Sequence, residues 1–280
     1  MGSSLEVELK VRHEGNGGTT RACWEPHARA LLAYESGHLG SEILVLDDLG
    51  DTDRLPASWF FRDPESLPAI ERRALELCRG SVLDVGAGAG CHALALQERG
   101  HSVCAVEILP EMVSLLERRG VVDARAGSAL DPPAGRWDTV LMLMNGWGLP
   151  ETLAGLERYL EGLDRMVSPG GQVLADSTDM RPFASGWKEE DGLRLALRGD
   201  GRYVGEIQFQ LEFDGQRGDP FSQLYIDPDT LSTLSARCGW SVDLVAQGSH
   251  GAFLSRLTRS GEDVRADVPS GTRPTRGRGP

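Results

Sequence analysis

The sequence predicts a doubly wound α/β fold: a mostly parallel, seven-stranded sheet with an N-terminal helical cap and an inserted β-hairpin. Three observations predict it. From residue 81 onward, short apolar runs alternate with stretches of helical spacing, and strands separated by helices form parallel β-α-β units. The run at 137–144 is apolar almost throughout, as a strand buried on both faces must be. Between 203 and 226 the apolar period shortens to two on either side of Asp214-Gly215-Gln216-Arg217-Gly218, the signature of a hairpin.

Residues 1–20 have little to bury and read as a flexible N-terminus. Residues 21–79 read as a helical cap or lid. Ala28, Leu31, Leu32 and Tyr34 recur at helical spacing before Gly37, and Ile70, Ala74, Leu77 and Cys78 do so between Pro68 and Gly80. Between these helices lie a polar connector with Asp47, Asp48, Asp51 and Asp53, then the aromatic cluster Trp59-Phe60-Phe61. The core, residues 80–259, opens with a strand at 81–85, a helix at 92–99, a strand at 101–106 and a helix at 110–119. Strands follow at 121–124 and 137–144. A helix from Pro150 then sets Leu153, Leu156, Leu160, Leu163 and Val167 on one stripe, and Pro169-Gly170-Gly171 delivers a strand at 172–175. After the hairpin insertion at 203–226 come a helix at 228–237 and strands at 240–245 and 252–257. Residues 260–280, rich in Pro, Gly, Arg and Asp, read as a disordered tail.

Twenty-nine basic against 42 acidic side chains leave a net charge of −13. A surface so acidic repels phosphate backbones and anionic membranes. The longest apolar run, residues 140–144, is far too short to span a bilayer. These features predict a cytoplasmic protein with neither DNA nor membrane as partner; they leave the oligomeric state open. Cys23, Cys78, Cys91, Cys104 and Cys238 are scattered without a CxxC pair, which argues against a disulfide framework or zinc site and for structural thiols.

The most informative stretch is Val82-Leu83-Asp84-Val85-Gly86-Ala87-Gly88-Ala89-Gly90. A strand turns sharply into a helix here. Glycine admits positive φ and close backbone approach, and the helix start offers unpaired N–H groups. The glycines alone also fit a variant of the dinucleotide fingerprint. Asp84 discriminates, because a carboxylate there repels a pyrophosphate but suits a ligand bearing an ammonium and a sulfonium. Glu107 closes the second strand, where an acid accepts hydrogen bonds from ribose hydroxyls. Together these residues resemble the class I S-adenosylmethionine-dependent methyltransferases, over residues 81–258 and including Pro169-Gly170-Gly171. The resemblance implies a Rossmann-like fold with an antiparallel last strand, and S-adenosyl-L-methionine as cofactor. It places Gly86, Gly88 and Gly90 beside the methionine part of the cofactor, Asp84 near its ammonium and Glu107 on its ribose. Ser128 stands where the family usually has an acid on the adenine amino group. Asn145, at the end of the fourth strand, joins the cofactor set. So does Arg62, as a clamp on the cofactor carboxylate, with an ion pair to Asp63 or Glu65 as the alternative.

Methyl transfer from a sulfonium needs an aligned acceptor, exclusion of water and sometimes removal of a proton. The candidate bases are His92, which a helix start would keep neutral, His250 between the last two strands, and Tyr225 or Tyr203. Met144-Asn145-Gly146-Trp147 lacks the two prolines of DNA amino-methylating enzymes. Asp176-Ser177-Thr178-Asp179 follows the fifth strand while Asn145 ends the fourth, so one acidic end lacks the other and no metal is expected. Trp59, Phe60, Phe61 and Trp147 read as core or as faces for a flat acceptor. The functional reading is O- or N-methylation of a small molecule, a specialised metabolite or modified peptide. A protein- or RNA-directed enzyme and a non-catalytic cofactor-binding regulator are the alternatives.

Overall fold

In chain order the elements are α1 (Arg21–Glu35), β1 (Glu42–Asp47), β2 (Thr52–Pro56), α2 (Ala69–Leu77), β3 (Ser81–Val85), α3 (Cys91–Glu98), β4 (Ser102–Glu107) and α4 (Pro110–Arg119). β5 (Asp123–Ala126), β6 (Trp137–Met142), α5 (Leu153–Gly162), β7 (Val167–Thr178), β8 (Gly186–Glu190), β9 (Leu193–Leu197), β10 (Glu206–Phe213) and β11 (Gln216–Arg217) follow. β12 (Phe221–Leu224), α6 (Pro228–Arg237), β13 (Trp240–Gln247) and β14 (Ala252–Arg259) complete the chain. This computed structural model describes residues 20–261. The N-terminal segment and tail expected from sequence lie outside the described residues, apart from Thr20, Ser260 and Gly261.

The large sheet has seven strands in the order β13-β14-β7-β6-β3-β4-β5. β3, β4, β5, β6 and β7 are mutually parallel, and β14 runs antiparallel to both β7 and β13. Val82, Leu83, Val140, Leu141, Val173 and Leu174 are fully buried, which is why these strands read as continuous apolar runs rather than alternating ones. β7 is longer than the sequence suggests: it starts at Val167 and carries Pro169-Gly170-Gly171 within it, Gly170 adopting a φ of 71°.

Residues 21–79 are not wholly helical. Where the acidic connector was expected, β1 and β2 form an antiparallel hairpin, and β1 also pairs with β10 of the inserted hairpin. The aspartates at 47–53 obscured the apolar run Ile43-Leu44-Val45-Leu46, whose partner lies more than 160 residues away in sequence: Leu44 stands opposite Glu212. The expected insertion is also larger, since β8 and β9 form a two-stranded sheet of their own ahead of it. Thus one small sheet, β11-β10-β1-β2 with β12 beside β10, joins the N-terminal segment to the insertion. α1 covers it, and Cys23, Leu31, Ile43, Leu211 and Phe221 share a buried cluster with Ala89, Leu109, Met112 and Leu115 of the large domain. That cluster seats α1 and the small sheet on α4 and the turn before α3.

Candidate active site

The strand order reverses at β3, which has β4 on one side and β6 on the other. Ligands in open α/β sheets bind in the crevice beyond the carboxyl ends of strands at such a point. A cavity of about 320 Å³ lies there, walled on one side by the β3-α3 turn and the ends of β4 and β6. Its other side, where a lid was expected from residues 21–79, is formed by Trp24 and His27 of α1 and Phe60, joined by Phe221, Ser222 and Gln223 of β12 from the insertion.

The turn is built as its glycines require. Gly86, Gly88 and Gly90 have φ of 73°, 58° and 85°, a region that costs a residue with a Cβ about 1–2 kcal/mol. A Cβ on Gly86 would meet nothing within 4 Å, so the backbone there faces open space. Gly90 does not line the cavity. It is the N-cap of α3, and a Cβ there would come within 2.7 Å of Leu116 Cδ2, so its role is helix packing.

Asp84 is buried at the end of β3, with Oδ2 lacking a hydrogen-bond partner among the described residues. Burial pushes its pKa up to about 6, against the opposing effects of His92 and the Ala93 N–H. A buried acceptor left unpaired is costly, and an ammonium brought to it would remove that cost. Glu107 accepts the Gly88 N–H through Oε1 and the Ile108 N–H through Oε2. It is pushed up to about 7 by burial, and each carboxylate oxygen keeps a further lone pair for a hydroxyl donor. Ser128 lines the cavity beside Ala129 and Leu130. Asn145 lines it too, and its side chain ties the core to the lid: Nδ2 donates to the Leu224 carbonyl and Oδ1 accepts from the Ser177 hydroxyl. Met144 and Asn145 both have left-handed backbone, φ 65° and 63°, a strained corner at the end of β6.

Other expectations are corrected. Arg62 is no free clamp, nor does it pair with Asp63 or Glu65. Its guanidinium forks onto the buried carboxylate of Glu71 at 3.1 and 2.8 Å. His92 Nε2 is 2.7 Å from the same carboxylate. Burial opposes charge on His92, but its contacts with Cys91 and Glu71 and the nearby Asp84 outweigh it and push the pKa up to about 10. A histidine held as an imidazolium cannot act as the neutral base expected from the helix start. His250 is exposed, has a φ of 55° and does not line the cavity. Tyr225 packs on Phe209 outside the cavity lining, its pKa pushed up to about 12 by burial and the charges of Asp176 and Asp47. Tyr203 donates to Asp227 Oδ2, the N-cap of α6, at 2.7 Å. Trp147 is fully buried and donates through Nε1 to Ser255 Oγ, so it is core rather than acceptor wall. Asp176 accepts the Gly146 N–H at 2.9 Å. Among the described residues no group of three His, Cys, Asp or Glu side chains is placed to hold a metal ion.

A family model described as a methyltransferase domain matches residues 82–171, which span the glycine turn, β4, β5, β6 and the start of β7. A solved S-adenosylmethionine-dependent methyltransferase from Bacteroides fragilis, in complex with S-adenosyl-L-homocysteine, is 35% identical with a TM-score of 0.76. The match covers 87% of this chain and 98% of that one. The chain belongs to the S-adenosylmethionine-dependent methyltransferases. Among curated relatives, the cypemycin N-terminal methyltransferase of a Streptomyces species is 32% identical over 107 residues, 37% of this chain and 44% of that protein. A ubiquinone biosynthesis O-methyltransferase of Xanthomonas oryzae is 28% identical over 130 residues, 44% of this chain and 52% of that protein. The chain thus spans about half the length of the curated relatives it matches.

S-adenosylmethionine is therefore the cofactor, and the cavity suits it. Positive-φ glycines leave open backbone, Asp84 offers an unpaired buried carboxylate oxygen, and Glu107 closes the neighbouring strand. When bound, the cofactor supplies a methyl group on a sulfonium, already activated by its leaving group. The chain's own task is to hold the acceptor in line and exclude water. Sequence patterning did not single out Trp24 or His27, three apart on α1 and so on one face, or Glu71. The signal for Glu71 was present: it shares the stripe Ala74, Leu75 and Cys78, where an acid is out of place unless paired.

Proposed function

We propose that this methyltransferase transfers the methyl group to an oxygen or nitrogen of a small, uncharged, flat acceptor held between the glycine turn and the lid. The observation that carries the reading is the lid wall. Trp24, Phe60 and Phe221 contribute aromatic rings, Ser222 and Gln223 add neutral polar groups, and no Asp, Glu, Lys or Arg joins them among the described residues. Such a wall favours stacking and apolar contact over ion pairing. Asp84, Asn145 and Glu107, with Ser128, lie on the opposite wall, and we assign them to the cofactor together with the backbone of Gly86 and Gly88.

The curated relatives carry names for O-methylation in ubiquinone biosynthesis and for N-terminal methylation of cypemycin. In the second, an N-terminal amine would arrive largely as an ammonium and lose its proton before taking the methyl group, and the lid wall offers no carboxylate to hold that ammonium. The net charge of −13 weighs against RNA. Purified protein incubated with labelled S-adenosylmethionine and a cell extract split by size tests the reading. Label should appear in the small-molecule fraction. Label confined to protein or RNA would replace the acceptor class, and binding without turnover would leave a cofactor-binding regulator.

A further inference from the structure

On the lid wall, His27 is the one titratable side chain among the described residues; Asp84, Cys91, His92 and Glu107 line the cavity from the opposite wall. Its ring is fixed by near-perpendicular contacts with Phe60, centroids 4.6 Å apart, and Trp24, 5.8 Å apart. Neither ring nitrogen has a hydrogen-bond partner among the described residues. Burial depresses its pKa to about 4, so the ring is neutral with one nitrogen lone pair unspent. The half-buried imidazole is packed between two aromatic rings and lines the cavity, which is where a hydrogen-bonding partner can reach it. The histidines expected to act as base do not serve: His92 is committed to Glu71 and His250 is exposed.

We propose that His27 accepts a hydrogen bond from a hydroxyl on a flat, uncharged acceptor and takes that proton as the oxygen is methylated. The proposal rests on the methyl-transfer reading and narrows it to a phenol-like hydroxyl. The acceptor oxygen forms the C–O bond with a lone pair, and the C–S bond pair stays on sulfur, cancelling the sulfonium charge. The O–H pair remains on oxygen, and the proton moves to the His27 ring and then to water. A neutral imidazole need not ionise the hydroxyl beforehand, because the oxygen loses its hold on the proton as the new bond forms. Trp24, Phe60 and Phe221 give that wall the aromatic surface on which a flat ring packs.

The test uses the full chain and three probes: S-adenosylhomocysteine, phenol and toluene, the last two alike in shape while only phenol donates a hydrogen bond. Calorimetry first measures S-adenosylhomocysteine; then ligand-observed NMR gives the phenol-to-toluene affinity ratio in its presence. We expect His27→Phe to lower that ratio about 3- to 10-fold, the scale of one neutral hydrogen bond. S-adenosylhomocysteine affinity should hold, and His27→Asn, which retains an acceptor, should restore part of the ratio. In the wild type, the imidazole nitrogen shifts of His27 should move with phenol and not toluene, a readout that survives even if a variant fails to fold. Failure of the wild type to bind S-adenosylhomocysteine would overturn the methyl-transfer reading itself. An unchanged ratio, no binding of either probe, or unmoved nitrogen shifts would overturn the role of His27 alone. A folded His27→Phe that loses S-adenosylhomocysteine affinity would place His27 on the cofactor and overturn it equally.

Discussion

At the scale of single residues, the site is a set of buried charges balanced against one another. In the role we propose for it, Asp84 needs its charge to receive the cofactor's ammonium, yet burial holds its pKa at about 6. Cofactor affinity should therefore fall as pH drops through 6, and calorimetry with S-adenosylhomocysteine at pH 5 and 8 should show weaker binding at the lower pH. Asp84→Asn should bind weakly at both. Glu71 sits between two cations, Arg62 and the His92 imidazolium. Removing one partner from a buried ion pair leaves uncompensated charge, so Glu71→Gln should cost about 3–5 kcal/mol in urea unfolding. His92 gives this cluster a pH signature. Its folded pKa is raised from 6.5 to about 10, so its contribution is fully present below 6.5 and is lost as pH rises through 10. The urea midpoint should decline across that window in the wild type, and less so in His92→Gln.

At the scale of elements, two segments carry roles that their composition hides. The turn after β6 places Trp147 in the core with its indole N–H satisfied by Ser255. Trp147→Ala should lower stability by about 3–5 kcal/mol, the usual cost of emptying a large aromatic site. A variant that folds normally and loses only turnover would return Trp147 to the acceptor wall. The β1-β2 turn is clasped through Asp48, which accepts from Arg198 at 3.0 Å, from Arg202, and from the Gln208 N–H at 3.2 Å. These partners hold its pKa below the ordinary carboxylate value despite partial burial. The clasp is therefore present above that ordinary value and weakens as pH falls through the lowered one. Asp48→Asn should loosen β1 and β2 before the rest of the fold, read as faster amide exchange there while β3, β6 and β7 keep their protection.

At the scale of the whole molecule, lid and core share one cavity and one apolar cluster. A ligand that binds only the folded state stabilises it by mass action, about 2.7 kcal/mol at 100 times its Kd. S-adenosylhomocysteine should thus raise the unfolding midpoint and slow amide exchange in the β3-α3 turn and in α1 and β12 together. Protection confined to the glycine turn would mean that the lid does not feel the cofactor. No described helix is long and apolar enough to cross a membrane.

The sequence by itself determined the alternating core, because strands buried on both faces must be apolar throughout, and Val82, Val140 and Val173 announce themselves locally. It also determined the turn of Gly86, Gly88 and Gly90 and the acids Asp84 and Glu107, since glycine and strand-end carboxylates act through backbone geometry and position along the chain. What only the tertiary structure decided was who partners whom across long separations. Glu71 meets Arg62 and His92, β1 finds β10, and Trp24 and His27 come to share with Phe221 and Gln223 one wall of a cavity that no single segment encloses. The physical reason is that burial and pairing decide charge. His92 looked neutral beside a helix N-terminus, yet a carboxylate at 2.7 Å outweighs a helix start. That carboxylate comes from another element, packed against α3 only once the chain has folded.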